Sequence, residues 1–232
     1  MDEELIELYL GFVSFWSGFF EALINSRGIF FEAAQVTLAL TAVSIFIALF
    51  IGLFFALLKI SNIKPLEWLA NAYIYVVRGT PLIVQIFVFF YGLTSIWMIS
   101  GFWSVALGLA FHNGAYIAEI FRGSIQSIGK GQSEAGRSLG MSQSLTMRRI
   151  ILPQAFRRAL PPLGNQFIIG LKDSSLAAFI GVQEIFALAT TRGANTFDYM
   201  TWLLVCAVYY LILVFILTLV VGLVEKKLSV SD

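Results

Sequence analysis

A set of polar side chains lies inside otherwise apolar stretches, and their types and spacing suit holding a small charged ligand. His112, Tyr116 and Glu119 follow one another at intervals of four and three residues, so a helix carries them on one face, with Asn113 at its border. Arg78 and Gln85 are seven apart and also share a helical face. Gly79 and Pro81 weaken the helix between them, and Gly170 precedes the run Lys172-Asp173-Ser174-Ser175. Backbone N–H groups freed at such interruptions, with the hydroxyls of Thr80, Ser174 and Ser175, can hold a carboxylate. Glu119 or Asp173 can hold an ammonium or a guanidinium. An ionisable group at the centre of a membrane helix costs ~2.5–3.5 kcal/mol, so it faces a partner or a wet cavity. Each residue therefore has a second, structural reading. Lys172 can pair with Asp173 or with another helix, Arg78 can support the backbone at Gly-Thr-Pro, and His112 can be a packing residue. Glu119 can pair with Arg122, and Gln85 and Asn113 can join helices by hydrogen bonds.

The elements that must position these residues are read from apolarity. The chain of 232 residues is 59% hydrophobic and 12% charged, with a net charge of +1 and a mean hydropathy of +0.85. A soluble domain is about one quarter charged, so an all-α integral membrane protein is expected. Five transmembrane helices are placed at about 30–58, 66–93, 102–121, 159–180 and 199–224. At 1.5 Å per residue, Arg78 lies about 18 Å into the second span, Lys172 about 20 Å into the fourth and His112 about 15 Å into the third, all near the middle of a ~30 Å core. The loops fix the orientation. Lys59, Lys64, Arg122, Lys130, Arg137, Arg148, Arg149, Arg157, Arg158, Lys226 and Lys227 fall on one side and Arg27 and Arg192 on the other. Basic residues stay cytoplasmic, so the N-terminus is outside and the C-terminus inside.

Residues 1–28 are expected to form a helix lying at the membrane interface, with Leu5, Leu8, Phe12, Phe15 and Phe19 as its apolar stripe and acids flanking it. The acidic start is unlike a cleaved signal peptide. A loop is expected over 94–101 and another over 190–198. The whole of 1–232 is read as a single transmembrane domain without room for an ATPase, a receptor or a catalytic domain. The single cysteine, Cys206, is read as a packing residue. Basic residues do not gather into a stripe with aromatics, so no nucleic-acid partner is expected, and no metal-ligand spacing is present.

The polar segment 122–158 is the longest loop. Within it, Ser133 can cap a short helix with Glu134 in its first turn, and Gly140 can supply the left-handed residue that ends it. Ala135 and Gly136 give the helix a small-residue face. Ser142 or Ser144 can then start the return helix. The run Glu134-Ala135-Gly136, then Gly140, then Ile150-Ile151-Leu152-Pro153 resembles the "EAA" loop of bacterial ABC importer permeases, with Gly136 in place of that pattern's second alanine. Three further stretches, 75–85, 115–123 and 160–176, look like those of the polar amino acid permeases, the histidine, arginine, glutamine and cystine class. The likeness runs from about Phe30 to the end of the chain.

The resemblance implies a type I ABC importer fold in the bacterial cytoplasmic membrane. It implies a coupling helix at Glu134, Ala135, Gly136, Arg137 and Gly140 that sits in a groove of the ATPase. It also implies two ATPase subunits, a second permease chain (identical or a close paralogue) and an extracellular or periplasmic amino-acid-binding protein. The chain is then not itself an enzyme and carries no cofactor, ATP-Mg being bound by the partner. Amino acid transport by alternating access is the expected activity. A basic cargo such as arginine is preferred because Glu119 is the carboxylate placed in the third span. Glutamine or another polar amino acid is the alternative, as is a passive route with selection by the receptor alone. An ion channel would need a symmetric filter, and a membrane enzyme a nucleophile–base pair or a metal cluster. Neither pattern is seen.

Overall fold

The computed structural model describes residues 3–97 and 99–228. Helix α1 (Glu3–Asn25) is joined through Ser26 to α2 (Arg27–Lys59). Then come α3 (Lys64–Gly79), α4 (Leu82–Trp97) and α5 (Gly101–Gln126). The inner segment holds α6 (Lys130–Ser138), α7 (Gln143–Thr146) and a π-helical turn (Met147–Ile151). Helix α8 (Leu152–Asp173) runs into a 3-10 helix (Ser174–Ile180), followed by α9 (Ile185–Thr196) and α10 (Tyr199–Leu228).

Helix α5 is the axis of the bundle. Ala106, Leu109, Ala110, Asn113, Ala115 and Ile117 on it have no exposed surface. Small residues let its neighbours approach. A Cβ on Gly114 would meet Ile51 at 2.7 Å, and one on Gly52 of α2 would meet Ile117 at 2.5 Å, so each helix gives a glycine to the other's isoleucine. Polar groups on α2 are satisfied within the helix: Thr37, Thr41 and Ser44 are buried and donate to the carbonyls of Ala33, Thr37 and Thr41. At the outer end Phe30 stacks between Tyr209 (4.7 Å) and Trp202 (6.3 Å).

Among the described residues, α2 and residues 199–227 are each long and apolar enough to cross a bilayer alone, and two bent pairs of helices reach that apolarity jointly. Helix α5 does not reach it. It is shielded by its neighbours and so need not be as apolar as a helix facing lipid.

The second span breaks where Gly79 and Pro81 are read as weakening it, and α3 and α4 meet at 106°. Two expectations about the elements are corrected. The fourth span does not stop at Ile180. After Gly181 (φ 82°) it resumes as α9 at a 47° bend, so the loop expected over 190–198 is mostly helix. Its polar residues misled because Thr190 and Thr191 turn their hydroxyls onto their own helix, at the carbonyls of Phe186 and Ala187. The segment 122–158 carries the short helix and the return helix read within it, and α5 extends into it as far as Gln126. Finally, α4 runs on to Trp97, into the outer loop expected from Thr94. Helix α1 is helical where an interfacial helix is expected and rests on α10 through Phe19, while Leu8 and Phe12 of its stripe are exposed. Asp2 and the side chains of Glu3 and Leu5 lie outside the described residues.

Candidate functional site

The break between α3 and α4 organises the polar group. Thr80 precedes Pro81, whose ring disfavours helical backbone before it, and Thr80 is extended (φ −117°, ψ 145°). A broken helix strands its last carbonyls. Gln85 recovers them: its Nε2 is placed to donate to the carbonyls of Val77 (2.8 Å) and Thr80 (3.1 Å) and to Thr80 Oγ1 (2.9 Å). Thr80 Oγ1 itself donates to the Val76 carbonyl. The amide oxygen of Gln85 lies 3.2 Å from Nδ1 of His112. Since that oxygen can only accept, Nδ1 carries the proton, and in the neutral ring Nε2 is left as an acceptor. Tyr116 stands one turn along from His112, with ring centroids 5.2 Å apart. The guanidinium of Arg78 lies 5.1 Å from the centroid of the Tyr116 ring.

Arg78, Thr80, Gln85, His112 and Tyr116 therefore form one connected group from both sides of the break and from α5. Gln85 is buried, His112 and Tyr116 are half-buried, and Arg78 and Thr80 are exposed. Arg78 joins no ion pair with a described residue. It borders an open cavity of about 560 Å³ that Asn71, Ile74, Tyr75 and Gly79 also line.

The other expected site residues lie apart from this group. Asn113 is fully buried, with its amide spent between helices: Nδ2 donates to the Leu109 carbonyl, and Oδ1 accepts from Gln166 Nε2 at 2.6 Å. Glu119 has both oxygens engaged, Oε1 with Lys59 and Oε2 with Arg122, each at 2.6 Å. It ties the inner end of α2 to α5. Lys172 is exposed and joins no ion pair with Asp173 or with a described residue of another helix. Ser174 is buried and donates to the Leu171 carbonyl at 2.7 Å.

The inner elbow is built by its backbone. Helix α6 starts four residues earlier than expected, at Lys130, with Gly129 as its cap and Ser133 inside it. Its end is as expected. Gly140 is left-handed (φ 77°), its N–H donates to the Arg137 carbonyl, and the Met141 N–H reaches back to the Gly136 carbonyl, closing a Schellman turn. Ser142 caps α7, accepting from the Leu145 N–H. Gly136 does not face outward with Ala135. It is buried against the return helix, where a Cβ would meet Thr146 Cγ2 at 2.9 Å. Glu134, Ala135, Arg137 and Leu139 are exposed, and Leu139 is 82% so. Arg158 of α8 donates to the Ser127 carbonyl at 2.6 Å, joining α8 to the end of α5 beside the elbow.

Several residues of this frame escaped the reading of the sequence. Lys59 counted there only as a marker of the inner side, because a partner 60 residues away leaves no local signal. Leu139 lay unremarked inside the motif. Glu184 has no exposed surface. Its Oε1 caps α9 by accepting from the Ala187 N–H (2.7 Å), and its Oε2 accepts from the Tyr210 hydroxyl (2.6 Å). A lone carboxylate in the apolar run 176–189 was the signal that could have found it.

A helical membrane bundle with a broken, polar pair of helices and a braced inner elbow has the architecture of a permease. Residues 48–230 match the family described as the binding-protein-dependent transport system inner membrane component. The arginine transport system permease protein ArtQ of Bacillus subtilis is 35% identical over 92% of this chain and 98% of its own length. The L-cystine transport system permease protein TcyB of the same organism is 39% identical over 93% and 88%. The glutamine transport system permease protein GlnP of Escherichia coli is 35% identical over 93% and 98%. A crystal structure of an amino acid ABC transporter with histidines is 37% identical and covers 90% of this chain and 98% of its own, with a TM-score of 0.83. The methionine transporter MetNI, at 20% identity and a TM-score of 0.75, shares the fold. The chain belongs to the family of inner-membrane permeases of binding-protein-dependent ABC importers, among those for polar amino acids. It is a multi-pass protein of the bacterial inner membrane, and the ion-channel alternative has no support.

Proposed function

We propose that this chain is the membrane-spanning subunit of an ATP-driven importer of polar amino acids, and that Arg78 and His112 hold the cargo. One observation carries the site: a guanidinium that joins no ion pair with a described residue stands beside an open cavity and over Tyr116, next to the Gln85–His112 pair. Arg78 suits the cargo's carboxylate. The Nε2 lone pair of His112 suits its ammonium. Thr80 and Gln85 hold the break open so that both are presented. The site is on the exposed side of α3, which the second permease chain, identical or a paralogue, would cover.

The exposed row Glu134, Ala135, Arg137 and Leu139 suits a groove on each of two ATPase subunits, with Gly136 and Gly140 shaping the helix behind it. The soluble amino-acid-binding protein docks on the outer side. ATP-driven closure would then swing the elbow, α8 and α5 together and alternate the access to the site.

Arginine is the finer reading of the cargo, and its support is the likeness to ArtQ along most of both chains. The carboxylate that favoured a basic cargo, Glu119, is engaged by Lys59 and Arg122 and lends it none. Glutamine is the rival, on the likeness to GlnP. The experiment is reconstitution with the ATPase and the receptor, followed by hydrolysis stimulated by arginine or by glutamine. Arg78→Ala should lower the stimulation at least about tenfold, the worth of one charged contact, with assembly retained. Undiminished stimulation would remove Arg78 from the site. A response to glutamine and not to arginine would overturn the finer reading.

A further inference from the structure

A second cavity at the outer end of the bundle has no part in the transport reading. It has a volume of about 330 Å³ and lies between the α1–α2 corner and the α9–α10 pair, lined by Glu21, Asn25, Ser26, Ile29, Arg192 and Trp202 among others. The Arg192 guanidinium lies 5.9 Å from the centroid of the Trp202 ring. The indole is fixed: its N–H donates to Thr196 Oγ1 at 2.9 Å, and Phe30 stacks parallel to it. Arg192 and Glu21 join no ion pair, with each other or with another described residue. A cation and an anion that line one cavity without neutralising each other suit a ligand carrying both charges.

The surroundings select the kind of zwitterion. On the α1 side Phe20 and Ile24 are more than half exposed. On the other side the corner between α9 and α10 exposes Phe197 (94%), Tyr199 (50%) and Met200 (63%). Phe197 is also left-handed (φ 56°), a conformation that bulky residues adopt only under constraint. Aromatic and apolar side chains ringing a polar cavity at the outer helix ends belong at the level of lipid headgroups. A purely aqueous face would leave them in water.

We propose that this cavity binds the headgroup of a zwitterionic phospholipid bearing a primary ammonium, as in phosphatidylethanolamine. The phosphate lies on Arg192 and the Asn25 amide. The ammonium lies on the Glu21 carboxylate, away from the Arg192 guanidinium that covers the Trp202 ring. The acyl chains run along Phe20 and Ile24 of α1. A glycerol headgroup brings no cation to Glu21, and a choline headgroup brings one without N–H donors. The bound lipid joins α1 to the α9–α10 pair.

The test is native mass spectrometry of the assembled transporter extracted from vesicles of phosphatidylethanolamine, phosphatidylcholine and phosphatidylglycerol in equal parts. Phosphatidylethanolamine should be retained over phosphatidylglycerol by about tenfold, and Arg192→Ala should lower its retention by a similar factor. Glu21→Gln, an exposed change that leaves packing intact, should keep bound lipid but erase that preference. Equal retention of the three lipids, or retention indifferent to both substitutions, would overturn the site. So would protection of a thiol label in Asn25→Cys by the receptor or by free amino acid instead of by phosphatidylethanolamine.

Discussion

The inner elbow and the α3–α4 break both interrupt helices, and they are held by different means. At the elbow, α6 is closed by backbone bonds within a few residues, from Gly140 to Arg137 and from Met141 to Gly136. At the break, the stranded carbonyls of Val77 and Thr80 are met by the amide of Gln85, which leans on His112 from another helix, 27 residues on. Backbone closure gives a stiff unit that can pass on a push. Side-chain closure gives a polar group whose partners can be exchanged for those of a ligand. One molecule thus uses a rigid interruption to receive force and an exchangeable one to receive cargo.

The contrast breaks first at Gln85. Gln85→Leu strands the buried carbonyl of Val77 and frees Thr80 and His112, and leaving one buried polar group unpaired costs ~1–3 kcal/mol. The assembled complex should lose about that much stability, read by thermal unfolding, together with its cargo response. A neutral Gln85→Leu would mean that the break is held by packing.

At the elbow, Gly136→Ala should cost ~1–3 kcal/mol by overpacking against Thr146. Thr146→Ala, which removes the methyl and a buried hydroxyl without a partner among the described residues, should restore both stability and coupling. A double variant that recovers stability but not coupling would show that Gly136 serves the ATPase groove directly.

The smallest effect is expected between the two regions. Glu119→Gln weakens two partly exposed ion pairs, worth about 1 kcal/mol each. It should raise basal hydrolysis modestly, less so at high salt, without changing the choice between arginine and glutamine. A change in that choice would return Glu119 to the cargo site.

The elbow was legible in the sequence because its constraints are local. A left-handed glycine and a capping serine declare themselves by spacing, and Gly140 and Ser142 stand where that spacing put them. Its start was misplaced because Gly129 caps without a side chain and so leaves no signal. The break was visible as Gly79 and Pro81, but the 106° between its helices depends on what they pack against. His112 and Tyr116 share a face of α5 as their spacing suggested, but Arg78 and Gln85 do not share a helical face: they lie on α3 and α4, on either side of the break. Asn113, adjacent to His112, points a third of a turn away, toward Gln166 of α8. The ties from Lys59 to Glu119 and from Tyr210 to Glu184 cross from helix to helix, and residue spacing within one helix carries no trace of them.

The division of labour is tested most directly by measuring hydrolysis and uptake in the same proteoliposomes for Glu134→Lys, an exposed change on α6 far from the polar break. Hydrolysis that continues while amino acid uptake falls to background, with cargo binding unchanged, is the predicted result. Normal uptake by that variant would contradict it.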